Sequence, residues 1–321
     1  MSDIPHGGRL VAAGRRYRSA PQPWIDLSTG INPQAYPFTP PPPEAWQRLP
    51  EPEQVLALEA AAARAYGAID PAMVVAAPGS QALIQLLPRL FPQPRIAIPG
   101  PTYAEHAAAW SAAGTVIAAD APARVLCNPN NPDGARHDPG TLHAPALLVI
   151  DEAFADFEPG LSLIPQLPRA NTIVLRSLGK AYGLAGLRLG FAITAPPQAD
   201  RIRDALGPWA INGPAIAIGI QALSDTAWCI KAALAAEASA VRLDILLARA
   251  GLAPVGGTFL FRTVCATDAS NLANHLAQAG ILVRQFAAQP TWLRFGLPGD
   301  NAAWTRLAKA LGSRWNGARS M

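Results

Sequence analysis

The chain has 321 residues, half of them hydrophobic and 15% charged, with a formal net charge of +4. So many apolar residues and so few charges exclude a disordered, collagenous or disulfide-stapled chain. The arginines are scattered with no basic run, so the mild positive charge favours small anionic ligands over nucleic acid.

Cys127, Cys229 and Cys265 are odd in number and widely spaced, and the five histidines lack ligand spacing. Neither a disulfide framework nor a metal site is therefore expected. The N-terminus has no apolar targeting core, and no run of about 18 apolar residues exists. The expected setting is a reducing cytoplasm, with no membrane partner.

In chain order, the first 50 residues read as irregular. The proline-dense "PFTPPPPEAWQRLPEPE" reads as an extended connector, because proline cannot sit in a helix interior or central strand. A helix is expected over 53–66, stopped by Gly67. Short apolar runs then alternate with helical stretches: "MVVAA", "RIAIP", "TVIAA", "ARVLCN", "ALLVID", "NTIVLRS" and "GLRLGFAIT". That rhythm predicts a mostly parallel sheet with helices on both faces, and functional residues at the strands' carboxyl ends. After about residue 198 the rhythm changes. One long helix is expected over 225–252, then strands in "TFLFRTV", "ILVRQF" and "WLRFGL", with helices near 269–279 and 302–311. The expected class is α/β. A three-layer α/β/α large domain (31–224) follows an N-terminal arm (1–30) and precedes a smaller α+β domain (225–321).

Chemistry-bearing residues recur at the expected strand ends. Gly79-Ser80-Gln81 opens a helix whose free N–H groups and dipole suit a phosphate, although an ordinary N-cap explains the pattern as well. Tyr103 sits at a strand-to-helix junction, as a ring for stacking or as a packed aromatic. "NPNNPDG" (128–134) has more asparagine than a turn needs. Asp151 ends a buried strand, where a carboxylate is costly unless it is paired. Lys180 is one of three lysines in an arginine-preferring chain; it lies among small residues, where an amine can trap a carbonyl. Arg188, eight residues on, can anchor a phosphate. Phosphate nest, ring face, asparagine, acid and amine are together what pyridoxal 5′-phosphate (PLP) requires.

This ordered set resembles the fold-type I, aspartate-aminotransferase-like PLP enzymes, in their histidinol-phosphate aminotransferase branch. "NPNNPDG", "DEAF" and "SLGKAYGLAGLRLG" carry the resemblance. It implies Asn131 at the cofactor's phenolic oxygen, Asp151 at the pyridine nitrogen and Lys180 as the amine that condenses with the aldehyde. Gly79, Ser80, Gln81, Ser177 and Arg188 are implied at the phosphate, and Tyr103 on the ring. Arg294 in "WLRFGL" matches the arginine that grips the substrate carboxylate, and a homodimer is implied.

Within that branch, "HGGR" (6–9) and "WIDLSTGINP" (24–33) are similar to the N-terminal signature of the L-threonine-O-3-phosphate decarboxylases of cobalamin biosynthesis. Phe154 stands where the aminotransferases usually have tyrosine. Leu49 stands where many relatives have a tyrosine that reaches the neighbouring subunit's cofactor. The implied substrate is a small phosphorylated amino acid, with Arg284 as candidate for its phosphate and His6, Arg9 and Asn32 as helpers. The alternative is transamination, of histidinol phosphate.

Overall fold

The structure, a computed structural model, describes residues 6–312. The outermost residues of the expected arm and small domain fall outside that range. Two compact units emerge, each described by itself. The smaller takes the described parts of Met1–Gln34 and Ala233–Met321 together with Pro132–Ala135; the larger takes Ala35–Asn131 and Arg136–Ala232.

The chain opens with α1 (Leu10–Arg16) and a short strand β1 (Ile25–Asp26). The region expected to be irregular therefore holds a helix, too short to show a period. In the proline-dense connector, α2 (Glu44–Gln47) is a single helical turn. It is tolerated because Pro43 lies at its N-cap, where a missing N–H costs nothing. Helix α3 (Pro52–Tyr66) starts in a capping box made by Glu51 and Gln54, and stops at Gly67, whose φ of 76° is left-handed.

The larger unit is built on β2 (Val74–Ala77), β3 (Arg95–Ala97), β4 (Val116–Ile117), β5 (Ala123–Cys127), β6 (Leu147–Asp151), β7 (Thr172–Ser177) and β8 (Gly190–Thr194). Their spatial order is β2-β8-β7-β6-β5-β3-β4. β8 alone runs opposite to the other six strands. Strands β2, β6 and β8 are buried throughout, which is why they are apolar runs rather than alternating ones. Helices α4 (Ser80–Leu90), α5 (Ala104–Ala112), α6 (Pro196–Leu206) and α7 (Gly213–Ser224) flank the sheet. Trp110, Leu83, Leu87, Val125, Val149 and Leu175 form part of one core between the sheet and α4–α6. Gly219 of α7 lets that helix approach Leu58 of α3 and Leu189.

Helix α8 (Thr226–Arg249) continues the chain. The smaller unit then adds β9 (Pro254–Thr258), β10 (Phe261–Cys265), α9 (Ala269–Gln278), β11 (Ile281–Leu282), β12 (Arg284–Phe286), β13 (Gln289–Gly296) and α10 (Asn301–Gly312). Its antiparallel sheet has the order β12-β13-β10-β9, while β11 pairs with β1.

Two expectations are corrected here. "TFLFRTV" is not one strand: it turns at 259–260, where the Leu260 amide donates to the Thr258 hydroxyl, and β9 forms from the "PVGGT" that precedes it. A Cβ on Gly256 would collide with the Asp133 carbonyl, so the glycines that disguise β9 as a loop are required by close packing. "ILVRQF" is likewise two strands, divided between different partners. Among the described residues no helix is long and apolar enough to cross a membrane.

Candidate functional site

In the larger unit, β2, β3, β5, β6 and β7 run in one direction, so their carboxyl ends share one edge of the sheet. The segments leaving that edge carry every cofactor residue expected from the sequence. β8 enters the sheet there from the opposite direction, so Arg188 and Gly190 come to the same edge.

Gly190 is the centre of the expected phosphate cradle. It pairs with Ala77 on one side and Ser177 on the other. A Cβ at 190 would collide with the Ser80 amide and lie 2.9 Å from the Arg176 carbonyl oxygen. Gly79, with a φ of 84°, is the N-cap of α4 and supplies no side-chain cap. A Cβ there would lie 2.6 Å from Arg188 Nη2. The guanidinium is thus set against the positive end of α4, with Arg188 itself in the left-handed region at φ 55°. Two positive fields directed at one place favour an anion there. The Ser177 hydroxyl accepts from the Gly179 amide at 3.4 Å. These features fit a phosphate monoester held by Gly79, Ser80, Ser177 and Arg188. Gly190→Ala is expected to weaken PLP affinity by about 5- to 150-fold, given the ~1–3 kcal/mol cost of overpacking; PLP titration of the apoprotein measures this.

Gln81 and Tyr103 are brought together: the Tyr103 hydroxyl donates to Gln81 Oε1 at 3.1 Å, and Gln81 Nε2 donates to Glu105 at 2.9 Å. Of the asparagines after β5, Asn128 bonds the His137 backbone and the Leu161 carbonyl, and Asn130 bonds Pro101 and Thr102. Those two side chains brace loops. Asn131 is half-buried at the turn that follows.

Asp151 is buried at the end of β6. Its Oδ1 accepts from the Ala153 amide at 3.0 Å, and its Oδ2 lies 2.9 Å from His106 Nε2. His106 was missed by sequence reasoning, since one histidine on a helix carries no pattern. Burial opposes its charge, but hydrogen bonds and charges at Asp151 and Cys127 outweigh burial and raise its pKa to about 10. An Asp151 carboxylate flanked by an imidazolium suits a protonated ring nitrogen as its further partner.

Lys180 follows β7, with Nζ over the Phe154 ring, 5.4 Å from its centroid. Phe154 offers a ring face and no hydroxyl. Beneath this loop lies a buried ionic cluster. Arg176 meets Glu152 at 3.1 Å and Asp156 at 3.3 Å, and its guanidinium lies 4.7 Å from the centre of the Tyr66 ring. Glu152 also accepts from Ser162 and the Leu163 amide. Asp156 Oδ2 has no hydrogen-bond partner, and burial, only partly offset by Arg176, pushes this carboxyl up to about 6.

The smaller unit gathers the expected substrate residues into two groups. Arg294 of β13 is buried, donates to the Ser28 carbonyl at 2.8 Å and lies over the Phe261 ring. Arg284 of β12 is its direct cross-strand partner. The second group is N-terminal. The Gly8 amide donates to Ser28 Oγ at 2.8 Å, and a Cβ on Gly7 would collide with the Ser28 carbonyl, so "HGGR" packs on "LSTG". Asn32 is buried and accepts from the Gln34 amide, while Arg9 is exposed at the start of α1. His6 is exposed just before the glycine pair.

Fold and site together define a fold-type I, PLP-dependent enzyme. The chain belongs to the aminotransferase class I and II family, whose model matches residues 24–122 and 118–311. It is 43% identical over 329 residues to threonine-phosphate decarboxylase of Pseudomonas aeruginosa, covering 96% of this chain and 97% of that protein. To threonine-phosphate decarboxylase of Sinorhizobium sp it is 42% identical over 327 residues, covering 96% and 97%. A solved structure of histidinol-phosphate aminotransferase from Sinorhizobium meliloti, in complex with pyridoxal-5′-phosphate, superposes with a TM-score of 0.77 at 26% identity, covering 96% of this chain and 94% of that one.

Proposed function

We propose that the protein decarboxylates L-threonine O-3-phosphate, giving (R)-1-amino-2-propanol O-2-phosphate and CO2, as a step of cobalamin biosynthesis. The observation that carries this reading is the near-full-length identity of 43% and 42% to two threonine-phosphate decarboxylases, against 29% over 322 residues to the histidinol-phosphate aminotransferase of Aeromonas salmonicida. Phe154 in place of the aminotransferases' usual tyrosine supports it.

When bound, PLP would supply an electron sink for the Cα bond that breaks. The protein's residues do the rest. Gly79, Ser80, Ser177 and Arg188 hold the phosphate, with Gln81 alongside. Asn131 holds the phenolic oxygen and Tyr103 covers the ring. Asp151 keeps the ring nitrogen protonated, and Lys180 binds the aldehyde carbon. Arg294 holds the substrate carboxylate, and so selects which Cα bond breaks. Arg284, a cation opposite it in the sheet, takes the substrate phosphate, helped by His6, Arg9 and Asn32. Lys180 Nζ then delivers the proton that replaces CO2 at Cα.

The protein acts as a cytoplasmic homodimer in this reading. Trp46, Leu49 and Trp209, all more than half exposed on the larger unit, provide apolar surface for a second copy. The deciding experiment supplies the purified holoenzyme with threonine phosphate, or with histidinol phosphate plus 2-oxoglutarate. CO2 and the amino-alcohol phosphate are expected from the first mixture. Glutamate formation from the second, with no CO2 from the first, overturns the proposal.

A further inference from the structure

In the smaller unit, β1 leads directly into a serine that meets two functional segments at once. The preceding Leu27 is fixed by backbone bonds on both sides: its amide donates to the Leu282 carbonyl at 2.8 Å, and its carbonyl accepts from the Gly296 amide at 2.6 Å. Ser28 is buried and is therefore placed independently of its own side chain. Its carbonyl oxygen accepts from Arg294 Nη2 at 2.8 Å. A Cβ on Gly7 would collide with that same oxygen, so the N-terminal backbone is pressed against the atom that holds Arg294. The Ser28 hydroxyl fastens this backbone. A main-chain N–H can only donate, so Ser28 Oγ accepts from Gly8 at 2.8 Å. Its single proton goes to Asp26 Oδ1, 2.6 Å away, and Oδ1 also accepts from the Ser28 amide at 2.8 Å. Asp26 thus aims the hydroxyl and leaves a lone pair for Gly8. Gly8 itself is left-handed, with φ 79°, so the pair that meets Ser28 in this way is glycine at both positions.

We propose that Ser28 is a positioning residue that determines specificity for a phosphorylated substrate: its carbonyl sets Arg294, and its hydroxyl latches the glycine pair, so that His6 and Arg9 on either side of the pair are held in fixed register with the arginine that grips the carboxylate. An amino-acid O-phosphate carries two anionic groups a few bonds apart. Recognising both at once needs two binding groups at a set separation, and a loose N-terminal segment would have to be ordered each time a substrate binds. One residue that touches both segments supplies that separation in advance. The carboxylate site is built without the Ser28 hydroxyl, whereas the placement of the N-terminal segment depends on it. The effect on specificity rests on the function proposed above; the latch itself does not.

The latch is read in the full chain, labelled with 15N-glycine, as the rate at which the Gly8 amide exchanges with solvent. Ser28→Ala keeps the carbonyl and both Leu27 bonds, so it removes the hydroxyl alone. It is expected to speed Gly8 exchange about tenfold, the order for one lost hydrogen bond, and Ser28→Thr is expected to restore slow exchange. In the holoenzyme, Ser28→Ala is expected to raise the KM for threonine phosphate about tenfold. The inhibition constant of L-threonine, which has the carboxylate and no phosphate, is expected to stay near the parent value. A merely structural role would weaken both ligands together. Equal factors for the two ligands overturn the proposal, as does parent-like Gly8 exchange in Ser28→Ala. If the parent releases no CO2 from threonine phosphate, the reading of the reaction fails, and Gly8 exchange in the two variants still decides the latch.

Discussion

Lys180→Ala is expected to abolish covalent cofactor attachment and lower turnover by ~10²–10⁴-fold, the range for loss of a positioned general acid–base. Elimination and placement both single out Lys180. Lys231 and Lys309 are exposed on α8 and α10, whereas Lys180 is half-buried in the loop after β7, its amine over Phe154. Arginine cannot replace it, because a guanidinium stays protonated and does not condense with an aldehyde. Borohydride reduction of the holoenzyme should fix PLP to the peptide bearing Lys180 in the parent and to none in the variant. Cofactor found on another lysine would sink the assignment. Lys231→Ala and Lys309→Ala should behave as the parent.

Asp156→Asn is expected to stabilise the protein at pH 8 by up to about 3 kcal/mol and to leave stability near pH 4 little changed. Asp156 titrates near 6 in the folded chain, above the ordinary value of 3.8. A folded-state pKa raised above the unfolded one contributes stability below the unfolded value, and that contribution is lost as pH rises through the folded value. The window is therefore about pH 4 to 6, and a shift of about two units corresponds to about 3 kcal/mol. The cause is stoichiometric: two buried carboxylates share one guanidinium. Glu152 has Arg176, Ser162 and a backbone amide, whereas Asp156 Oδ2 has no hydrogen-bond partner. Asparagine removes the charge at every pH and leaves Arg176 with Glu152. Urea unfolding at the two pH values measures the difference, and equal or reduced stability at pH 8 would refute the argument.

The larger sheet was legible because most of its strands are buried on both faces and so are continuous apolar runs. The residues expected at the cofactor lie at the ends of such runs, which the structure brings to one edge of the sheet. What stayed hidden had no local signal. Strand β9 is disguised by glycines that its neighbours require, and α1 is too short to show a period. His106 on α5 and Asp151 at the end of β6 are 45 residues apart, and only the fold brings them together. Arg176, Glu152 and Asp156 were passed over because a lone charge beside an apolar run does not reveal that its partners are buried with it.

The reversed strand β8 has a further consequence, for chain entropy. β7 and β8 are antiparallel neighbours, so the loop carrying Lys180 and Arg188 is closed at its base, where the Leu178 amide donates to the Leu189 carbonyl at 3.1 Å. Closing so short a loop costs little entropy, whereas every parallel pairing in this sheet must close a longer excursion first. The amine and the guanidinium are therefore carried by the most local long-strand pairing of the sheet. Their separation is set by one loop's length, and an inserted residue between 180 and 188 would shift one against the other while leaving the rest of the sheet in register.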